Sequence, residues 1–110
     1  MNLDAKLDAG RIYTSLIETG EDWADKDAAA SILEETKSSI LARLMNTGEG
    51  SVAAREMFAK ASDDYQEHLA SMVEARRIAN RAKVKYDSGK VLAEMRRSEE
   101  STRRSEMNLR

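Results

Sequence analysis

Apolar and small side chains recur along the C-terminal half on two lines of seven-residue spacing. One line is Phe58, Tyr65, Met72, Ala79, Tyr86 and Ala93; the other, three residues on, is Ala61, His68, Ala75, Ala82, Gly89 and Arg96. Such a pair of lines is the seam of a helix that lies along another helix. The stretch Ser51–Met107 contains no proline and one glycine, Gly89, and is otherwise rich in good helix formers. The pattern predicts one helix, ~85 Å long at 1.5 Å per residue.

The N-terminal half carries two shorter apolar stripes. Leu3, Leu7, Gly10, Tyr13 or Thr14, and Ile17, with Leu16 beside them, predict a helix over 2–19. Gly20 stands where a helix would end, and a close helix contact is the expected reason for Gly10 in its middle. Glu21 to Asp27 reads as an acidic connector, with Trp23 packing its ring over a helix junction. Asp25 or Asp27 then caps a second helix to about Met45, on the period of Ile32, Leu33, Thr36, Ile40, Leu41 and Leu44. Asn46 to Gly50, with two glycines, marks a turn, and Ser51 caps the long helix beyond it.

These elements predict an all-α fold: two short helices (residues 1–50) packed on a long C-terminal helix (51–110). The first part of that helix, to about Ile78, serves as a core strut; 79–110 is an arm. The seam of the arm is mostly Ala and Gly, which favours close helix approach, so a coiled-coil-like homodimer is expected, with a kink or reversal at Gly89 as the open question.

Composition narrows the reading. Five aromatic residues and many alanines allow only a thin core. Without cysteine, a disulfide frame or thiolate chemistry is excluded. No apolar run approaches the ~20 residues that span a bilayer, and the acidic start lacks a signal-peptide pattern. The expectation is a soluble cytoplasmic protein without membrane contact. The net charge of −2 conceals a division: residues 1–74 hold 7 Lys/Arg and 15 Asp/Glu, whereas 75–110 hold 11 and 5. That asymmetry predicts either pairing of the two ends or a basic surface for an acidic partner.

Candidate chemistry is sparse. His68, the single histidine, has Asp64 one turn before it, but its place on the seam reads as a packed, hydrogen-bonded histidine rather than an acid–base or metal site. Glu18 and Glu21 have the spacing of a Mg²⁺-binding pair in all-α nucleotide pyrophosphohydrolases, yet Gly20 lies between them and no second pair follows. No enzyme activity, cofactor, metal or small-molecule substrate is expected. The basic arm is richer: Arg76-Arg77, Arg81, Lys83, Lys85 and Lys90 lead into Arg96-Arg97 and Arg103-Arg104. The last two pairs are seven residues apart, so they share a face and can track phosphates, with Tyr86 as a stacking aromatic. An acidic face of Asp63, Asp64, Glu67 and Glu74 supports a different reading, occupation of a DNA-binding enzyme by charge mimicry.

The order Tyr65, His68-Leu69, Glu74-Ala75-Arg76, Tyr86-Asp87, Arg96-Arg97-Ser98-Glu99 and Thr102 to Met107 resembles small helical phage and prophage proteins encoded beside single-strand-annealing recombinases. The resemblance covers roughly residues 60–108. It implies a non-enzymatic accessory in phage DNA recombination or in evading host nucleases, in the host cytoplasm, and carries no site residues with it. The expected function is therefore binding of nucleic acid or a DNA-processing protein through Arg96, Arg97, Arg103, Arg104 and Tyr86. The alternative is inhibition of a host defence or nuclease enzyme through the acidic face.

Overall fold

The computed structural model describes residues 2–109, with side chains from Ala9 onward. It is all-α, with three helices: α1 (Asn2–Met45), α2 (Val52–Ala61) and α3 (Asp63–Asn108). A long helix packs against two shorter ones, as the seam predicted. Among the described residues there is no strand, and no helix is long and apolar enough to cross a membrane.

The helix boundaries differ from the expected ones in two places. The two N-terminal helices are one: α1 continues through Gly20 and the acidic segment Glu21–Asp27 without a break. Glycine inside a helix costs about 1 kcal/mol relative to alanine, but here its missing side chain makes room. A Cβ on Gly20 would stand 3.2 Å from Cε2 of Tyr86. Tertiary packing thus overrides the local stop signal. Conversely, the helix expected from Ser51 onward is divided at Ser62, whose extended backbone (φ −69°, ψ 149°) ends α2. The Ser62 hydroxyl donates to the Ala59 carbonyl at 2.6 Å and accepts from the Tyr65 amide at 3.3 Å. One side chain therefore closes α2 and opens α3. Ser51 caps α2, its hydroxyl accepting from the Ala54 amide, after a turn in which Gly50 takes φ +98°.

The chain forms two compact units, each containing part of α1 and part of α3. Unit 2 is residues 24–80. Its α3 seam is Tyr65 and Ala79, both buried, with His68, Met72 and Ala75 half-buried between them. α1 supplies buried Ala30 and half-buried Leu33, Ile40, Leu41 and Leu44. Unit 1 comprises 1–23 and 81–110, so the acidic start and the basic end belong to one body. Its α3 seam is buried Ala82 with half-buried Tyr86, Gly89 and Ala93, and α1 contributes Ala9, Ile12, Leu16 and Trp23. α3 passes through Gly89 as helix, neither reversed nor broken. A Cβ on Gly89 would meet Leu16 Cδ2 at 3.1 Å.

In both units the seam of α3 is lined by residues of α1 from the same chain. Gly10 is exposed and a Cβ there would meet nothing within 4 Å; the close approaches are at Gly20 and Gly89 instead. The leucines expected at 3 and 7 lie outside the residues whose side chains are described.

Candidate nucleic-acid interface

In an antiparallel helix pair, residues flanking the seam on one helix face the matching flank of the other. On α3 one flanking line is cationic at every position over five heptads: Arg76, Lys83, Lys90, Arg97 and Arg104. Successive members are about 10.5 Å apart along the helix. The corresponding line on α1 reads Tyr13, Gly20, Asp27 and Glu34. What each cation meets depends on which of these stands opposite.

In unit 2 the answer is carboxylate. Arg76 donates through Nη1 to Asp27 at 2.7 Å. It grips Glu34 with two bonds, Nε to Oε2 at 2.9 Å and Nη2 to Oε1 at 2.7 Å. Ser31 accepts a longer bond at 3.4 Å. A planar guanidinium held by both its edges is well matched to two carboxylates. Its hydrogen bond to Glu34 holds that carboxyl below its ordinary value, and the two acids push the guanidinium further up. Arg76 is thus spoken for inside the chain. Arg77 is likewise doubly bonded to Glu74, at 3.0 and 2.6 Å.

In unit 1 the cations meet rings. Trp23 and Tyr86 stack with centroids 5.7 Å apart and planes at 27°. Lys83 Nζ lies 5.8 Å over the indole and Lys90 Nζ 5.1 Å over the phenol. Trp23 is therefore not at a helix junction but within α1. Tyr86, expected as a stacking aromatic, is half-buried with its ring already stacked. Cation–π pairs of this kind stabilise without neutralising the charge. Further along, Arg96 and Arg97 border a shallow notch of Ala9, Ile12, Tyr13, Ala93 and Glu100. Its lining combines small and apolar residues with two arginines and one carboxylate, and Tyr13 is 57% exposed there. Beyond it every described residue from Glu94 to Leu109 is exposed, Arg103 and Arg104 included. Arg104 has a long contact of 3.9 Å with Glu100, and Lys90 one of 3.6 Å with Asp87. Exposed pairs on one helix contribute little and are readily exchanged for another anion.

The expected acidic face is divided. Asp63 and Asp64 occupy the first turn of α3, where carboxylates favour the positive end of the helix dipole. Glu74 is engaged by Arg77, and Glu67 is exposed beside Asp64 and Arg43 in a shallow recess of unit 2. His68 shares that recess, but its Nε2 donates to the Leu33 carbonyl at 2.8 Å, the packed histidine the seam predicted. Glu18 and Glu21 are exposed on α1, and among the described residues no three His, Asp or Glu side chains gather as a metal ion would require. Tyr13, expected on the apolar stripe of the first helix, is 57% exposed on this surface instead. The available signal was its spacing of seven from Gly20, which sets it on the same flank. No family model, curated protein or solved structure matches this chain.

Proposed function

We propose that the protein is a non-enzymatic, nucleic-acid-binding accessory that engages phosphates through the basic flank of unit 1. The observation that carries the reading is the heptad row Lys83, Lys90, Arg97 and Arg104, in which Lys83 and Lys90 lie over rings and the carboxylate contacts of Lys90 and Arg104 are long and exposed. Arg96 and Arg103 stand beside it, each one residue before Arg97 and Arg104 on the same turn. Four cations with about 10.5 Å between neighbours form a linear track, the arrangement a polyanion strand fits. The setting, phage DNA recombination as implied by the resemblance of residues 60–108, or replication, belongs to the same proposal. The test is a gel shift with DNA: Arg96, Arg97, Arg103 and Arg104 changed together to Ala abolish the shift of the parent protein. An unchanged shift contradicts the reading.

The alternative, inhibition of a host enzyme through Asp63, Asp64, Glu67 and Glu74, has less to stand on. Two of these acids serve the start of α3 and one is held by Arg77. Retention of a bacterial protein that survives nuclease treatment, and is lost on changing Asp63, Asp64 and Glu67 to Ala, would favour it instead.

A further inference from the structure

The basic row explains attraction to any polyanion; it does not distinguish a duplex from a single strand. The surroundings of the row do. Along unit 1 the cations are interleaved with aromatic rings: Trp23 and Tyr86 between Lys83 and Lys90, then Tyr13 at the notch with Arg96 and Arg97. Trp23 and Tyr86 are committed to each other, whereas Tyr13 is 57% exposed. An exposed ring in a notch shared with Ala9, Ile12 and Ala93 offers a surface to which a flat apolar group can stack. Arg97 lines the same notch, with Arg96 and the carboxylate of Glu100, and is the flank-row cation for a phosphate beside that group. A nucleobase with its two phosphates has this chemistry, and only an unpaired strand exposes base faces; in a duplex they are stacked on their neighbours.

We infer that the flank of unit 1 is selective for single-stranded nucleic acid, with one base stacked on Tyr13 and the backbone following Arg97 and Arg104 in one direction and Lys90 and Lys83 in the other. This rests on the proposed function, in which the basic flank binds nucleic acid at all. The row from Lys83 to Arg104 extends about 31 Å. That corresponds to about nine nucleotides at the 3.4 Å per phosphate of a duplex strand, and fewer for an extended one.

The test compares a 12-nucleotide oligothymidine with a 12-base-pair duplex, followed by anisotropy of a labelled strand and by the fluorescence of Trp23, the single tryptophan. Tyr13 is exposed, so Tyr13→Ala leaves the fold in place, which circular dichroism verifies. The expected results are tighter binding of the single strand, a change in Trp23 emission on binding, and a loss of about tenfold or more for the single strand alone in Tyr13→Ala. Tyr13→Phe, which keeps the ring, retains full affinity. Equal, salt-sensitive binding of both forms with no effect of Tyr13→Ala overturns the single-strand inference and leaves the basic-flank reading standing. Binding of neither form overturns both.

Discussion

The two units use one helix pair to opposite ends. In unit 2 the flanking cation of α3 faces Asp27 and Glu34, and Arg76 is closed into three short hydrogen bonds to their carboxylates. In unit 1 the same heptad line continues as Lys83, Lys90, Arg97 and Arg104, where the α1 line gives Gly20 against Tyr86 and Tyr13 in a notch with Arg96 and Arg97. In unit 2 the cation is held by short bonds to carboxylates, whereas in unit 1 Lys83 and Lys90 lie over the rings of Trp23 and Tyr86. The contacts of Lys90 with Asp87 and of Arg104 with Glu100 are long and exposed. The difference shows that a run of basic residues is not one feature. Its N-terminal members, Arg76 and Arg77, are held by carboxylates of the same chain, whereas Lys83 and Lys90 lie over rings.

The most forceful way to break this contrast is to make unit 1 resemble unit 2. Tyr13→Glu places a carboxylate on the α1 flank beside Arg96 and Arg97. We expect nucleic-acid affinity to fall by more than about tenfold, through loss of the ring and gain of a competing anion, with helicity retained. Anisotropy titration measures the first and circular dichroism the second.

The reciprocal change opens unit 2. Arg76→Ala leaves Asp27 and Glu34 facing each other without their cation, and the melting temperature at neutral pH falls. The effect has a defined pH dependence. Because the Arg76 hydrogen bond lowers the Glu34 value from its ordinary 4.5, the stabilisation is fully present above pH 4.5 and is lost as pH falls through the lowered value. The melting difference between parent and variant therefore vanishes in acid. A difference that persists unchanged there excludes the Glu34 pairing as its source. Arg76→Ala leaves DNA binding intact, since this guanidinium is engaged inside the chain.

The smallest effects separate the glycines within unit 1. Gly10→Ala meets open space and raises stability by up to about 1 kcal/mol. Gly20→Ala gains the same helix propensity but drives a methyl to 3.2 Å from the stacked Tyr86 ring. We expect no net gain or a loss, accompanied by a shift in Trp23 emission. Urea denaturation of the two variants measures the difference; equal stabilisation of both would contradict the packing described for Gly20.

Much of this fold was legible in the sequence. The two heptad lines from Tyr65 to Ala93 are the buried seam, because a period near 3.5 leaves one face to bury whichever helix covers it. Ser51 and the Asn46–Gly50 turn were legible for local reasons of capping and backbone freedom. The helix that covers the seam was not. Gly20 reads as a stop until Tyr86, distant in sequence, is seen against it. Ser62 lies between alanine and aspartate with no glycine or proline to announce a break. For the site, the arginine pairs were legible from spacing alone. Which tyrosine remains open was legible only in part: Tyr86 stood on a seam line, where it is half-buried and stacked, whereas Tyr13, read on the apolar stripe of the first helix, is exposed.

The central claim, that the basic row of unit 1 and not Arg76 contacts phosphate, is tested most directly by the salt dependence of single-strand binding. For the parent protein, log affinity against log salt is expected to fall with a slope of about −4, from six cations at ~0.7 each. Changing Lys83, Lys90, Arg96, Arg97, Arg103 and Arg104 to Gln should flatten that slope toward zero, while Arg76→Gln leaves it unchanged. A slope that survives loss of the row, or one that collapses with Arg76→Gln alone, would contradict the account.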